Sequence, residues 1–183
     1  RRGHKSISIA PEAGTESLRK VNNKKITEQD ILQTSELIFS EGIETLRLYF
    51  MIGLPSETRE DIIGIVDLVK KIRDRTSKGN ITLSISTFVP KPFTPFQWHP
   101  MENPSEVKER LKMIKNGLLP IKGVRVFHDV SKYAYMQGLF SQGDRRVSQV
   151  VIEMLSIQDW RKAAVAAGIK EDFYIFRKKE FHE

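Results

Sequence analysis

Cysteine is absent from this chain of 183 residues. Its absence excludes disulfides and every thiolate-held metal or cluster within the chain. No segment approaches the roughly 18 consecutive apolar residues needed to cross a bilayer. Histidine is sparse, and His4, His99, His128 and His182 lack metal-ligand spacing. Neither a nucleophile elbow nor a paired-carboxylate constellation is present. The phosphate-binding Gly-x-x-x-x-Gly-Lys-Ser/Thr loop is missing too. The location expected of such a chain is the cytoplasm, with no membrane partner.

What is present is an alternation of strand and helix patterns. Residues 5–10, Thr45–Ile52, 81–89 and 124–127 read as strands, the first with strict alternation of polar and apolar positions. A short helix is expected over Glu16–Val21. A second follows from Thr27, which precedes acids in the first turn, and closes at Gly42. Thr58 caps a third helix, with Ile62, Ile65, Val66, Val69 and Ile72 at helical spacing. A fourth starts near Ser105 and carries Val107, Leu111, Ile114 and Leu118 on one stripe. Successive strands begin about 35–40 residues apart, the size of a βα unit. The fold class expected is therefore α/β, with parallel βα units forming a partial (half) TIM-type barrel. After His128 the pattern becomes helical at residues 133–140, 147–155 and 159–167, and the tail is charged. Two domains are expected: the βα arc over 1–128 and a helical C-terminal extension over 129–183.

One face of the strands is polar. Ser6, Ser8 and Ala10, then Thr45, Arg47, Tyr49 and Met51, then Thr82, Ser84 and Ser86 alternate with apolar residues. A closed barrel fills its axis with branched apolar side chains, so this face points to a wet or ligand-filled cavity. Arg47, in mid-strand, needs an anionic partner. A ligand carboxylate or an internal carboxylate such as Glu12 would serve.

Ligands of α/β proteins sit at the carboxyl ends of the strands, and three motifs lie there. Pro-Glu-Ala-Gly-Thr-Glu-Ser at 11–17 offers Glu12 as an acceptor, Gly14 for a tight turn or close backbone approach, and Thr15 as a helix cap. Gly-Leu-Pro-Ser-Glu-Thr at 53–58 lets a ligand lie against Gly53. Val-Pro-Lys-Pro-Phe-Thr-Pro-Phe at 89–96 is stiffened by three prolines and presents Phe93 and Phe96, with Trp98 just beyond.

In this order, Gly-Thr-Glu-Ser-Leu at 14–18 with Lys24 and Thr27, Phe-Met-Ile-Gly-Leu-Pro-Ser-Glu-Thr at 50–58 and Phe-Val-Pro-Lys-Pro-Phe-Thr-Pro at 88–95 resemble the second half of a radical S-adenosylmethionine (SAM) domain. The resemblance is greatest to the methylthiotransferase and Elongator-type branch, and within it to an uncharacterised group of iron–sulfur oxidoreductases. Phe127-His128-Asp129 and Gly143-Asp144-Arg145-Arg146 also look like that group. The third motif is similar to the Ser-Pro-Arg-x-Gly-Thr-Pro stretch of methylthiotransferases, with Lys91 in place of the arginine and Phe93 in place of the glycine.

The resemblance implies SAM and a [4Fe–4S] cluster as cofactors of an intact enzyme, the cluster held by a Cys-x-x-x-Cys-x-x-Cys motif that this chain lacks. It also implies roles for individual residues. Glu12 meets the SAM ribose or ammonium, Lys24 or Arg47 offsets the carboxylate, Gly53 permits close approach beneath SAM, and Phe88 and Val89 border the adenine. Gly14 belongs to the same cofactor set, and no residue here is assigned bond-breaking chemistry. The chain opens inside a strand without methionine, so it is expected to be a segment of something longer. It would be inactive alone and would partner the N-terminal half of the barrel.

The net charge of +7 fits a nucleic acid such as RNA, an acidic protein partner or an anionic small molecule. One alternative is a non-enzymatic basic βα module that binds RNA or protein. Another is an unrelated barrel enzyme in which Arg47, Glu12 and His128 converge. A partial barrel also exposes unpaired strand edges, so self-association is expected.

Overall fold

A computed structural model describes residues 4–179. His182 and the last residue of the charged tail, Glu180, lie outside the described residues. Two compact units emerge. The first comprises the chain to Thr87 plus Ser105–Asp129; the second comprises Phe88–Pro104 and the chain from Val130. The first unit's end at Asp129 lies one residue past the expected boundary, and the second unit takes in the third strand-end motif as well.

The first unit is a parallel sheet with sequential strand order β1-β2-β3-β4, formed by β1 (Ser6–Glu12), β2 (Thr45–Ile52), β3 (Asn80–Thr87) and β4 (Val124–His128). Between the strands run α1 (Glu16–Val21), α2 (Glu28–Ser40), α3 (Arg59–Arg75) and α4 (Pro104–Leu118). Sequential parallel strands with a helical layer form half of an eight-stranded βα barrel, so the α/β expectation holds.

Sequence chemistry explains the helix boundaries. Thr27 and Thr58 each build a reciprocal capping box, with Asp30 and Asp61 three residues on. The backbone turns left-handed just after α2, at Gly42 (φ 78°). One core lies between the helices and the sheet. Leu46, Leu48, Phe50 and Ile52 of β2 and Ile81, Leu83 and Ile85 of β3 pack against Ile31 and Phe39 of α2, Ile62, Ile65 and Val69 of α3, and Ile114 of α4. The alternate residues of these strands are half-buried or exposed. The third strand ends at Thr87, two residues earlier than its composition predicts, which leaves Phe88 and Val89 outside the sheet.

The second unit is helical: α5 (Ser131–Gln142), a 3-10 turn at Arg145–Val147, α6 (Ser148–Glu153), α7 (Trp160–Ala166) and α8 (Glu171–Ile175). Its core includes Met101, Tyr135, Leu139, Val150, Trp160 and Ile175. Residues 88–104 are part of it. The Met101 N–H donates to the Ile175 carbonyl (2.8 Å), the Tyr135 hydroxyl to the Glu102 carbonyl (2.9 Å), and the Gln142 side-chain amide to the Pro90 carbonyl (3.0 Å).

Candidate functional site at the strand ends

Strained backbone concentrates at the motifs. Among the described residues, four non-glycine residues have positive φ: Glu12 (68°), Asn23 (54°), Ser56 (65°) and Phe93 (61°). Glu12, Ser56 and Phe93 each sit in one motif, and Asn23 immediately precedes Lys24. A left-handed conformation costs a residue with a Cβ about 1–2 kcal/mol. Such strain persists where the surroundings over-determine it, which is common at ligand sites.

At the end of β1 the register slips. Ile9 pairs with Leu48, whereas Glu12 pairs with Phe50, so one residue is extra. The bulge sets Glu12 out of step with the alternation of Ser6, Ser8 and Ala10. The Glu12 carboxylate meets the Lys24 ammonium at 3.2 Å, with both side chains partly exposed. The internal partner considered for Glu12, Arg47, is not the one it takes.

Arg19, which sequence reasoning passed over, holds this loop in place. It is fully buried. Its Nη1 donates to the carbonyls of Ala13 (3.0 Å) and Gly14 (3.3 Å), and its Nε to that of Ile26 (3.0 Å). It therefore ties the strand-end turn to the loop bearing Lys24. Burial pulls its pKa down, while Glu16 and Glu28 oppose that shift. Glu16 does a second job: its Oε1 accepts from the Glu28 N–H at the start of α2 (2.7 Å).

Thr15 caps α1 and also hydrogen-bonds Asp61 of α3. Gly14 is a close-approach glycine, and what approaches is α3. A Cβ added there would lie 2.1 Å from the Asp61 carbonyl oxygen and 2.4 Å from the Ile65 nitrogen.

Gly53 also has positive φ, 78°. Its N–H donates to the Glu57 carboxylate (2.7 Å), which also accepts from Arg110 of α4 (2.6 Å). The Glu57 side chain is only 1% exposed. Burial pushes its pKa up to about 7, against the pull of the Gly53 N–H and of Arg110.

Arg47 lies mid-strand and exposed, with Ser8 and Thr82 as its lateral neighbours and Arg125 beyond Thr82. Phe88 is buried in edge-to-face contact with Phe96, and Val89 packs on the helical core. The structure thus brings Glu12 and Lys24 together. It leaves Arg47 in the middle of the sheet, Gly53 at the end of β2, and Phe88 and Val89 in the second unit. Convergence of Arg47, Glu12 and His128 is not observed, because Glu12 engages Lys24 while the His128 ring meets Lys115 Nζ at 2.7 Å.

The donor set can be compared with the cofactors that the motifs imply. A carboxylate and an ammonium side by side match the ammonium and carboxylate of SAM. An iron–sulfur cluster does not fit: the chain has no cysteine, and the described residues contain no group of three or more His, Asp or Glu that could hold a metal ion. Among the described residues, no helix is long and apolar enough to cross a membrane.

The chain is 35% identical over 145 residues to an uncharacterised protein of Methanocaldococcus jannaschii, covering 79% of this chain and 32% of that protein. It therefore spans about a third of the length of this curated relative. Residues 1–69, which contain the first two strand-end motifs, match the Radical SAM superfamily and do so without a cysteine.

Proposed function

We propose that this chain supplies SAM-binding strands to a radical SAM iron–sulfur enzyme whose cluster ligands lie outside it. The observation that carries the reading is the Glu12–Lys24 pair on a strained bulge at the carboxyl end of β1, within the region that matches the superfamily. Glu12 would take the SAM ammonium or ribose hydroxyls, and Lys24 the carboxylate. The turn at Gly53, fixed by Glu57, would let SAM approach the backbone. Arg47 is a second candidate for the carboxylate. Bound SAM supplies radical chemistry only with a cluster, so the chain alone would be inactive, and the N-terminal half of the barrel is the partner it needs. The third motif favours the methylthiotransferase and Elongator-type branch, and the cytoplasm is the fitting location.

The alternative, a basic module binding RNA or protein, draws on the net charge of +7. Lys24, Lys71, Arg75, Arg110, Lys132 and Arg161 each pair with a carboxylate; each pair takes one charge of either sign, so the excess of +7 stays available to such a partner.

Titration calorimetry with SAM tests the reading. Glu12→Gln and Lys24→Met are expected to weaken SAM roughly tenfold each, the scale of one charge-assisted contact, with melting temperatures near that of the parent. SAM affinity unchanged in both variants, or no SAM binding by the parent at millimolar concentration, would overturn it.

A further inference from the structure

The open face of the sheet carries a second arrangement, separate from the Glu12–Lys24 pair and sharing with the proposed SAM contacts only Arg47, their alternative carboxylate partner. Lateral register aligns two rows on it. Ser8, Arg47, Thr82 and Arg125 form one row; Tyr49, Ser84 and Phe127 form the next. In the first row both arginines are exposed, and neither makes a hydrogen bond or ion pair with the described residues. Besides these rows the face holds Ser6, Ala10, Thr45, Met51, Asn80 and Ser86; Glu12, at the end of β1, is paired with Lys24, and Asp129, just past β4, borders the face beyond Phe127. Two like charges two strands apart, about 10 Å at normal strand spacing, therefore share one row with neither held in an ion pair.

In the second row Tyr49 is 41% and Phe127 57% exposed. Large aromatic side chains left open on a parallel sheet are unusual, since such sheets tend to be covered on both faces. Ser84 between them is small, so the two rings flank a slot. That slot is a cleft of about 330 Å³ lined by Tyr49, Ser84, Ser86, Phe127, His128 and Asp129. Its far wall is fixed: the Asp129 N–H donates to the Ile85 carbonyl (3.1 Å), and the His128 ring is held by Lys115.

We infer that this face is a binding site for a small planar aromatic anion, a flat ring joined to a phosphate or carboxylate. The ring occupies the slot between Tyr49 and Phe127 over Ser84, where two aromatic faces stack on it. The anion lies between Arg47 and Arg125 over Thr82, where guanidinium groups donate paired hydrogen bonds. Successive same-face rows are about 7 Å apart, which sets the separation of ring and charge. A nucleoside monophosphate and an aryl-alkyl carboxylate both meet it. Within the proposed enzyme this is the substrate's position, yet the site depends only on the sheet and stands without SAM.

The test uses the 183-residue chain with AMP and indole-3-acetate as probes, followed by amide chemical-shift mapping and calorimetry. Binding of at least one probe is expected, with shifts concentrated at Tyr49, Ser84 and Phe127. Arg47→Gln and Arg125→Gln should each weaken it roughly tenfold while leaving uncharged adenosine or indole binding unchanged. Ser84→Leu, which fills the slot, should abolish ring binding and leave the fold intact by circular dichroism. Preference for AMP over indole-3-acetate assigns the nucleotide class; the reverse preference assigns the carboxylate. The inference is overturned if neither probe binds at millimolar concentration, or if both arginine variants bind as the parent does. It is also overturned if binding is lost in Glu12→Gln and Lys24→Met but kept in Ser84→Leu, which would place the ring at the proposed SAM contacts instead. Loss of SAM binding with retention of probe binding would overturn the proposed function and leave this site standing.

Discussion

Single residues show where sequence and structure part company. The capping threonines are legible, because a hydroxyl followed three residues later by an acid satisfies orphan amides whatever the tertiary context. Arg19 is not legible: its three carbonyl acceptors come together only once two loops have folded around it. Glu12 and Lys24 can each be singled out by residue type, but their pairing depends on a bulge that alternation does not show. Phe93 is the most testable case. It takes φ of 61°, in the left-handed region that favours glycine, and its side chain is 97% exposed. The loop thus keeps a glycine-type turn while using a residue that is strained in it and gains nothing from packing. Its N–H donates to the Gln97 side chain (3.0 Å), a bond glycine preserves. Phe93→Gly relieves about 1–2 kcal/mol of strain and adds about 0.5–1 kcal/mol of unfolded-state entropy. The expected result is a stability equal to the parent's or up to about 1 kcal/mol higher, read from urea unfolding. A loss exceeding 1 kcal/mol would show that the ring is packed in solution.

Elements were legible where pattern and packing coincide. The second strand spans Thr45–Ile52 as expected, because its alternation matches one buried and one open face. The third strand stops at Thr87 although Phe88 and Val89 have strand-like composition: Phe88 packs edge-to-face on Phe96 and Val89 against the helical core instead. The five-residue α8 escaped notice in a charged stretch too short to show a period. The turn from β2 into α3 carries a pH-dependent prediction. Buried Glu57 ties Gly53 to Arg110 of α4, and its carboxyl is pushed up to about 7 from an ordinary 4.5. Below pH 4.5 the group is protonated in both the folded and unfolded chain. Between 4.5 and 7 the folded chain binds more protons, so stability falls as pH rises, by at most about 3 kcal/mol. Glu57→Gln cannot ionise and should lack this component. Urea unfolding of both chains at pH 4.5 and 7.5 should show a steeper loss in the parent, and equal losses would refute the assignment.

At the scale of the whole molecule, the four-strand sheet has two edges. The strand order leaves β1 on one side and β4 on the other. On β1, Ser6, Ile7 and Ser8 are exposed, Ile7 to 38%, so both its backbone groups and an apolar side chain face outward. An unpaired, uncharged edge is a template for another strand. That edge offers itself to a second copy of the chain. The 183-residue chain is therefore expected to self-associate through β1. Sedimentation velocity between about 5 and 200 µM should show a mass that rises with concentration. Ile7 shares the helix-packed face with its register neighbour Leu46 but is 38% exposed at the sheet edge, so Ile7→Lys puts a charge on the edge with its ammonium able to reach water. It should hold the chain monomeric over that range with its melting temperature nearly unchanged. A lysine on β4 at Phe127 serves as the control, because that ring faces the open sheet surface rather than the β1 edge; Phe127→Lys should leave association intact. A parent that stays monomeric throughout would show that its edge is already protected. Association surviving Ile7→Lys but lost in Phe127→Lys would move the contact to the sheet face that holds the aromatic slot.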